Sequence, residues 1–284
     1  MSRNANRRQS GDSTSHNNRP EVADSAPTNG AANLTFATPT EFVDLPSRGR
    51  FYPEEHPLSG VDSLEIKYMT AKEEDILTSQ TLLRKGLALE RLLQSVIIDK
   101  RINPETMLVG DRNAVLVASR ITGYGEEYTV AVSCPECTAS TDYDFNLSKY
   151  QFKESDDICF TKTEDDTHTA RLPASKLEVE VRMLTGKDEK YLLEQRERKK
   201  KKKLPETMLT DQLKRIIVSI NGITDTPQIK AAISNLPARD SRYLRTIYDQ
   251  LVPNIDMRQE FECPSCGATT DLEVPFTTAF FWPK

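Results

Sequence analysis

The chain has 284 residues, 37% of them hydrophobic, and its 38 basic and 43 acidic side chains leave a formal net charge of −5. This is enough chain to bury a core without a disulfide scaffold, and its longest apolar stretch, Ile216–Ile220, is far short of the roughly 20 residues that span a bilayer. The polar N-terminus does not read as a secretion signal, the acidic balance speaks against wrapping nucleic acid, and only His16, His56 and His168 could serve histidine-based general-base chemistry.

Residues 1–40 are rich in Ser, Asn, Thr, Gly and Ala, show no helix or strand period, and read as a disordered tail whose four arginines are partly offset by Asp12, Glu21 and Asp24. Ordered chain is expected from Glu41. Leu45-Pro-Ser-Arg-Gly-Arg-Phe-Tyr-Pro53 follows as a Pro- and Gly-punctuated loop carrying two arginines and two aromatics.

The remainder repeats itself. Glu65–Leu77 aligns with Glu180–Leu192 at an offset of 115, setting Thr70 against Thr185. Both segments combine a short strand with a helix start, and Thr70 with Glu73 has capping-box spacing, which Thr185 and Asp188 echo. Leu89–Ile97 aligns with Leu213–Asn221 at 124, with apolar residues at helical spacing; Asp111 aligns with Asp240 and Cys134 with Cys263, both at 129. The two aspartates read as N-caps of helices beginning at Arg112 and Ser241. The rising offset means about fourteen extra residues in the second copy, the first of them at the lysine run Lys199–Lys203. Residues 41–147 thus read as a first repeat, 148–178 as an exposed acidic linker with one edge strand near Ile158–Thr161, and 179–284 as a second repeat.

Four of the five cysteines form two copies of one motif, Cys134-Pro-Glu-Cys137 and Cys263-Pro-Ser-Cys266, each between two alternating strands. A Cys-x-x-Cys turn aims two thiolates at one point, and two such turns supply the four sulfurs of a structural zinc site with no open coordination position. The separation between the turns, 125 residues, is explained if the two repeats pack about a pseudo-twofold axis and share one zinc across it. The alternatives are a disulfide or a redox pair in each turn, or unliganded thiols. Cys159 stands alone and reads as a buried apolar thiol.

Acids lead and bases trail from Lys187 to Lys203, which suits one exposed helix ending near Pro205; the same lysines would also suit phosphate or an acidic partner. Arg48, Arg50, Phe51 and Tyr52, together with Phe280, Phe281 and Trp282 at the chain's end, are candidate partner-binding residues, because aromatics and arginine concentrate at protein interfaces. They serve equally well as caps on an exposed core edge.

Leu45-Pro-Ser-Arg-Gly-Arg-Phe-Tyr52, Met69–Ser79, Gly110-Asp-Arg112, Gly123–Tyr128, the Cys-Pro-x-Cys motif and the terminal Phe-Phe-Trp-Pro together resemble the baseplate hub proteins of T-even-type contractile-tailed bacteriophages, over most of residues 42–284. The second repeat is also similar, more faintly, to small phage tail-assembly chaperones. The resemblance implies a non-enzymatic structural or assembly protein that binds hub components or the tape-measure protein, working in the host cytoplasm during assembly and residing in the virion baseplate. A transient chaperone absent from the virion, or a nucleic-acid-binding zinc-ribbon protein, are the competing classes. The expected fold is α+β: two tandem helical and short-strand repeats forming a pseudo-twofold pair, joined by a zinc-ribbon-like four-cysteine site.

Overall fold

A hairpin opens the ordered chain: β1 (Thr40–Asp44) pairs antiparallel with β2 (Ser63–Lys67), with Val43 opposite Leu64 and both buried, as strand alternation requires. The computed structural model describes residues 37–153, 160–163, 167–275 and 278–281. Helices α1 (Ala71–Thr78), α2 (Gln80–Arg84), α3 (Ala88–Val96) and α4 (Val109–Tyr124) follow, and then a second hairpin of β3 (Glu127–Ser133) and β4 (Ser140–Asn146). The short strands β5 (Gln151–Lys153) and β6 (Thr161–Lys162) lead to β7 (His168–Arg171) and β8 (Glu178–Val181). Next come α5 (Gly186–Lys201), α6 (Met208–Ile216), β9 (Ile217–Ile220), α7 (Thr226–Ser234) and α8 (Ala238–Leu251). The chain finishes with β10 (Asn254–Asp256), the hairpin β11 (Arg258–Glu262) and β12 (Thr269–Glu273), and a 3-10 turn at Thr278–Phe281.

The architecture is mixed α+β, with eight α-helices among the described residues and small antiparallel sheets: β6-β7-β8-β9, the pair β10-β5, and three hairpins. One hydrophobic core runs from Val43 to Phe281 and draws on residues from both ends of the chain. Helix α4 lies so close to β10 that a Cβ on Gly110 would sit 2.0 Å from the Pro253 carbonyl oxygen, so only glycine fits there. The start of α5 seals against the segment before α4: the Gly186 amide donates to Met107 O, the Val109 amide to Leu184 O, and Lys190 Nζ pairs with Glu105 at 2.6 Å.

Several local devices occur twice. At the start of α1 the buried Glu73 carboxylate accepts the Thr70 amide and hydroxyl; at the start of α5 the buried Asp188 carboxylate accepts those of Thr185. Each carboxylate then takes one more donor residue from the end of the preceding strand or the residue just after it, and one from a later helix. For Glu73 these are Lys67 (2.7 Å) and Ser95 (2.5 Å); for Asp188 they are Arg182 (2.7 Å) and Arg215 (2.9 Å). Both α2 and α5 end in a Schellman motif, with residue C″ donating to C3 and C′ to C2: Leu87 to Leu82 and Gly86 to Leu83 in one, Leu204 to Lys199 and Lys203 to Lys200 in the other.

Three expectations need correction. Asp111 and Asp240 are not N-caps. The helices begin earlier, capped at Leu108 and Pro237, which places both aspartates in the third helical position. Their buried carboxylates leave the helix to hold a distant loop instead: Asp111 accepts the Ser47 amide and hydroxyl and the Tyr52 hydroxyl, and Asp240 accepts the Ala174 and Ser175 amides.

The second correction concerns α3 and α6. Both helices hand the chain to a bridge with the preceding strand, Ile97 with Ile66 and Ile217 with Val181, and matching these two bridges sets Val96 against Ile216, a spacing of 120 rather than 124. A slip of four residues is about one helical turn and leaves the apolar face unchanged, so the sequence pattern fits both registers. At that spacing the growth of the offset to 129 at the aspartates and cysteines falls mostly after α6, where α7 sits.

The third concerns 148–178, expected as an exposed connection with one edge strand. It also supplies β5 and β7, and it buries Phe160, Ala170 and Leu172. The expected edge strand begins outside the described residues, where Cys159 also lies; of its described part, Phe160 and Thr161, only Thr161 is in β6.

Candidate metal centre

Each cysteine pair sits at the turn of a strand hairpin, β3–β4 or β11–β12, and the two turns fold alike. Cys134 N donates to Ala139 O, and the turn is closed by Thr138 N donating to Cys134 O. In the second turn Cys263 N donates to Ala268 O and Gly267 N to Cys263 O. Thr138 (φ +59°) and Gly267 (φ +69°) occupy the same left-handed position in the two turns. Alternation along β3 and β11 buries Cys134 and Cys263, while Cys137 and Cys266 lie toward the surface.

The two tips meet. All four sulfurs lie within 4.8 Å of one another, with Cys134 Sγ 3.9 Å from Cys266 Sγ and Cys137 Sγ 3.7 Å from Cys263 Sγ. A tetrahedral ion with sulfur ligands at about 2.3 Å sets its sulfurs about 3.8 Å apart, so the arrangement fits a four-thiolate metal site. Ionisation points the same way. Burial opposes the Cys263 thiolate, yet the amides of Cys266 and Ser265 and the thiols of Cys266 and Cys137 outweigh it and draw the thiol down to about 6. At Cys266 the Ala268 amide favours the thiolate, but the neighbouring sulfurs and burial push the thiol up to about 12. Sulfurs this close share one negative charge readily and carry four only around a cation.

The hairpins also touch away from the sulfurs. Tyr143 Oη donates to Glu260 O at 2.7 Å, and its ring meets Phe145 and Phe261 edge-on at 4.8 and 5.3 Å. The Gln259 side chain imitates a strand, donating to Asn146 O at 2.7 Å and accepting from Asn146 N at 3.1 Å.

The other candidate residues divide by burial. Arg48 and Arg50 are exposed and Phe51 is half-buried beside His168, with ring centroids 5.7 Å apart. Tyr52 is inside: its hydroxyl donates to Asp111 and accepts the Leu108 amide, and burial first, with the Asp111 charge second, raises its pKa. Phe280 and Phe281 are also inside, packed edge-on at 5.1 Å, with Phe280 against Tyr128 at 5.3 Å; Trp282 lies outside the described residues. The residue that holds this end of the chain was missed. Arg120, fully buried, donates to Phe280 O (2.6 Å), Gly125 O (2.7 Å) and Glu127 O (3.1 Å). A lone arginine in the apolar run of α4 was the available signal, since a buried charge needs partners.

Comparison with protein families aligns residues 40–282 with the T4 bacteriophage base plate protein family. The chain belongs to that family. The match begins at the first residue of β1 and takes in both cysteine hairpins, so the four-sulfur cluster lies within the region that defines this base plate protein. Comparisons with curated proteins and with solved structures give no match. No helix among the described residues is long and apolar enough to cross a membrane.

Proposed function

We propose that this base plate protein is a hub structural and assembly component, built from two tandem repeats about a pseudo-twofold axis and stapled by one structural zinc held by Cys134, Cys137, Cys263 and Cys266. The observation that carries the reading is the convergence of two sulfur pairs from opposite halves of the chain at tetrahedral spacing. The paired capping boxes, Schellman motifs and buried aspartates support the duplication, with repeats at 41–147 and 179–284 on either side of 148–178. Four thiolates leave a zinc ion no open position, so its work is structural. It would fix the two hairpins against each other and give a binding surface one shape.

Hub components and the tape-measure protein are the partners in this reading, met in the host cytoplasm and kept in the tail. Exposed Arg48 and Arg50 are suited to reach a partner. Tyr52, Phe280 and Phe281 support the surface from within, and Trp282, the next residue in sequence, is the remaining partner-binding candidate. The charge of −5 and the absence of an aromatic-lined basic face from the sequence argue against nucleic acid.

The test is quantification by mass spectrometry in purified particles and in infected-cell lysate, against a known tail protein. A small fixed copy number in particles, with one zinc per chain in the purified protein, is expected. Abundance in lysate with absence from particles would replace the resident component by a transient chaperone.

A further inference from the structure

The second half carries more positive charge around its buried acid than that acid can use. In the first half Glu73 meets one cation, Lys67, and a hydroxyl, Ser95; in the second Asp188 meets two guanidiniums, Arg182 at 2.7 Å and Arg215 at 2.9 Å. Both arginines line an open pocket of about 350 Å³ between α5, α6, β9 and α7, and Lys214 of α6 and Lys230 of α7 line it too. Neither lysine forms an ion pair or a side-chain hydrogen bond among the described residues. At the spacing of 120 set by the two bridges, Gln94 and Ser95 stand where Lys214 and Arg215 do, and α7 is an addition of the second half, so the first half does not assemble these four cations.

Arg215 is under-used as well. Its guanidinium lies 4.3 Å from the centroid of the Tyr191 ring and turns Nη2 to Asp188, while its Nε is buried with no hydrogen-bond partner, which costs free energy. Asp211 is the one acid in the pocket wall, and Lys199 and Thr207 already hold it. Asp225, between the pocket residues Thr224 and Thr226, accepts the Gln228 amide at 3.1 Å. Set Asp188 and Asp211 against the four cations and two positive charges remain. Cations gathered from the end of β8, α6 and α7 repel one another, more strongly beside the apolar wall of Ile217, Val218 and Ile229 than in open water.

We propose that this pocket binds the phosphate dianion of a small phosphomonoester. Such a phosphate carries close to two negative charges at neutral pH, the number left over here, and offers three oxygens to share among the guanidiniums, the lysines and the hydroxyls of Thr224 and Thr226. A carboxylate brings one charge and two oxygens. The volume is that of a small-molecule site, and Ile217, Val218 and Ile229 give the organic part of the ligand an apolar wall. None of these residues belongs to the cysteine hairpins, and the site does not depend on the function proposed above.

Calorimetric titration of phenyl phosphate into the purified, zinc-loaded full chain tests this, with benzoate as the control because it sets a singly charged carboxylate on the same ring. Saturable binding of one phenyl phosphate per chain is expected, with benzoate at least tenfold weaker, and phenyl phosphate should raise the melting temperature. The benzoate comparison needs no variant. Lys214→Gln with Lys230→Gln should weaken phenyl phosphate at least tenfold, whereas Lys200→Gln, Lys201→Gln and Lys202→Gln together, which remove more charge from lysines outside the pocket, should change it less than twofold. None of these five side chains forms an ion pair among the described residues, so an unchanged melting temperature without ligand and an unchanged zinc content establish the fold of each variant. Binding that does not saturate, equal affinity for benzoate, or a loss in the lysine-run variant as large as in the pocket variant overturns the proposal. So does displacement of phenyl phosphate by a short oligonucleotide without a terminal phosphate, which would make the ligand a phosphodiester chain. Each of these outcomes leaves the base plate function above intact.

Discussion

The carboxylates of Glu73 and Asp188 occupy the same place in the two halves, yet they are satisfied differently. Glu73 gathers one cation and one hydroxyl, Lys67 and Ser95, beyond its capping box; Asp188 gathers two guanidiniums, Arg182 and Arg215. The donors come from the same strand and helix positions in each half. What is kept is therefore the position of a buried negative charge where strand, helix start and second helix meet, while the length and charge of its partners are free to trade. A shorter acid is matched by longer, forked bases.

The largest break in the comparison comes from the sulfurs, because they belong to both halves at once. Cys134→Ser and Cys263→Ser should each take zinc from about one per chain to near zero and lower the melting temperature by the same amount, since metal–thiolate binding of order 10 kcal/mol is folding energy here. A chelator should reproduce the drop in the parent protein and leave the variants unmoved. Unequal losses would mean the pairs do not share one ion.

Next come the two carboxylates. Asp188→Ala leaves two guanidiniums facing each other with no anion between them, and should cost about 3 kcal/mol. Glu73→Ala leaves a single lysine with no second cation to repel it and a hydroxyl that can turn, for about 1–2 kcal/mol. Denaturant unfolding measures both.

Acid separates the halves on another axis. Burial opposes ionisation of Glu73, but Lys67, Ser95 and Thr70 outweigh it and hold the group at about 2; Asp188 is likewise lowered, by Arg182 and the Thr185 amide over burial. A lowered folded value gives stability that is full above the ordinary carboxylate range and lost as pH falls toward the folded value. Asp111 is raised, burial outweighing its bonds from Ser47 and Tyr52, whereas hydrogen bonds from Ser175 and Ala174 outweigh burial at Asp240 and lower it. Asp111 therefore stabilises most below the carboxylate range and loses that as pH rises through its folded value. As pH falls below the ordinary carboxylate range, the second half, with two lowered aspartates, should lose amide protection before the Asp111 loop does, as hydrogen exchange would read.

Much of this was legible in sequence because it is local. Cys-Pro-x-Cys declares its turn, and Thr-x-x-Glu its helix start, within four residues. The loop held by Asp111 was not legible, since Ser47 lies 64 residues away and the matching loop at Ala174 joins its strands through a far shorter connection. The register of α3 against α6 was hidden by the helix period itself. Burial of Tyr52, Phe280 and Phe281 was undecided for a similar reason: an aromatic beside an arginine has the same composition at an interface and at a core edge, and only Asp111 and Arg120, far along the chain, settle the direction.

The smallest effect sharpens the comparison most. Thr138 and Gly267 share one left-handed backbone position, and only glycine adopts it without strain. Relieving a β-branched residue there is worth about 1–2 kcal/mol, from which glycine's greater unfolded-state freedom removes about 0.5–1 kcal/mol. Thr138→Gly should thus stabilise the zinc-loaded protein by roughly 0.5–1 kcal/mol, and Gly267→Thr should destabilise it by the same amount. If the two turns are equivalent, the double variant returns to the parent's unfolding midpoint. A residual difference would measure how far the turns have diverged, because both sit against the same four sulfurs and any inequality in how they hold them would appear as non-additivity.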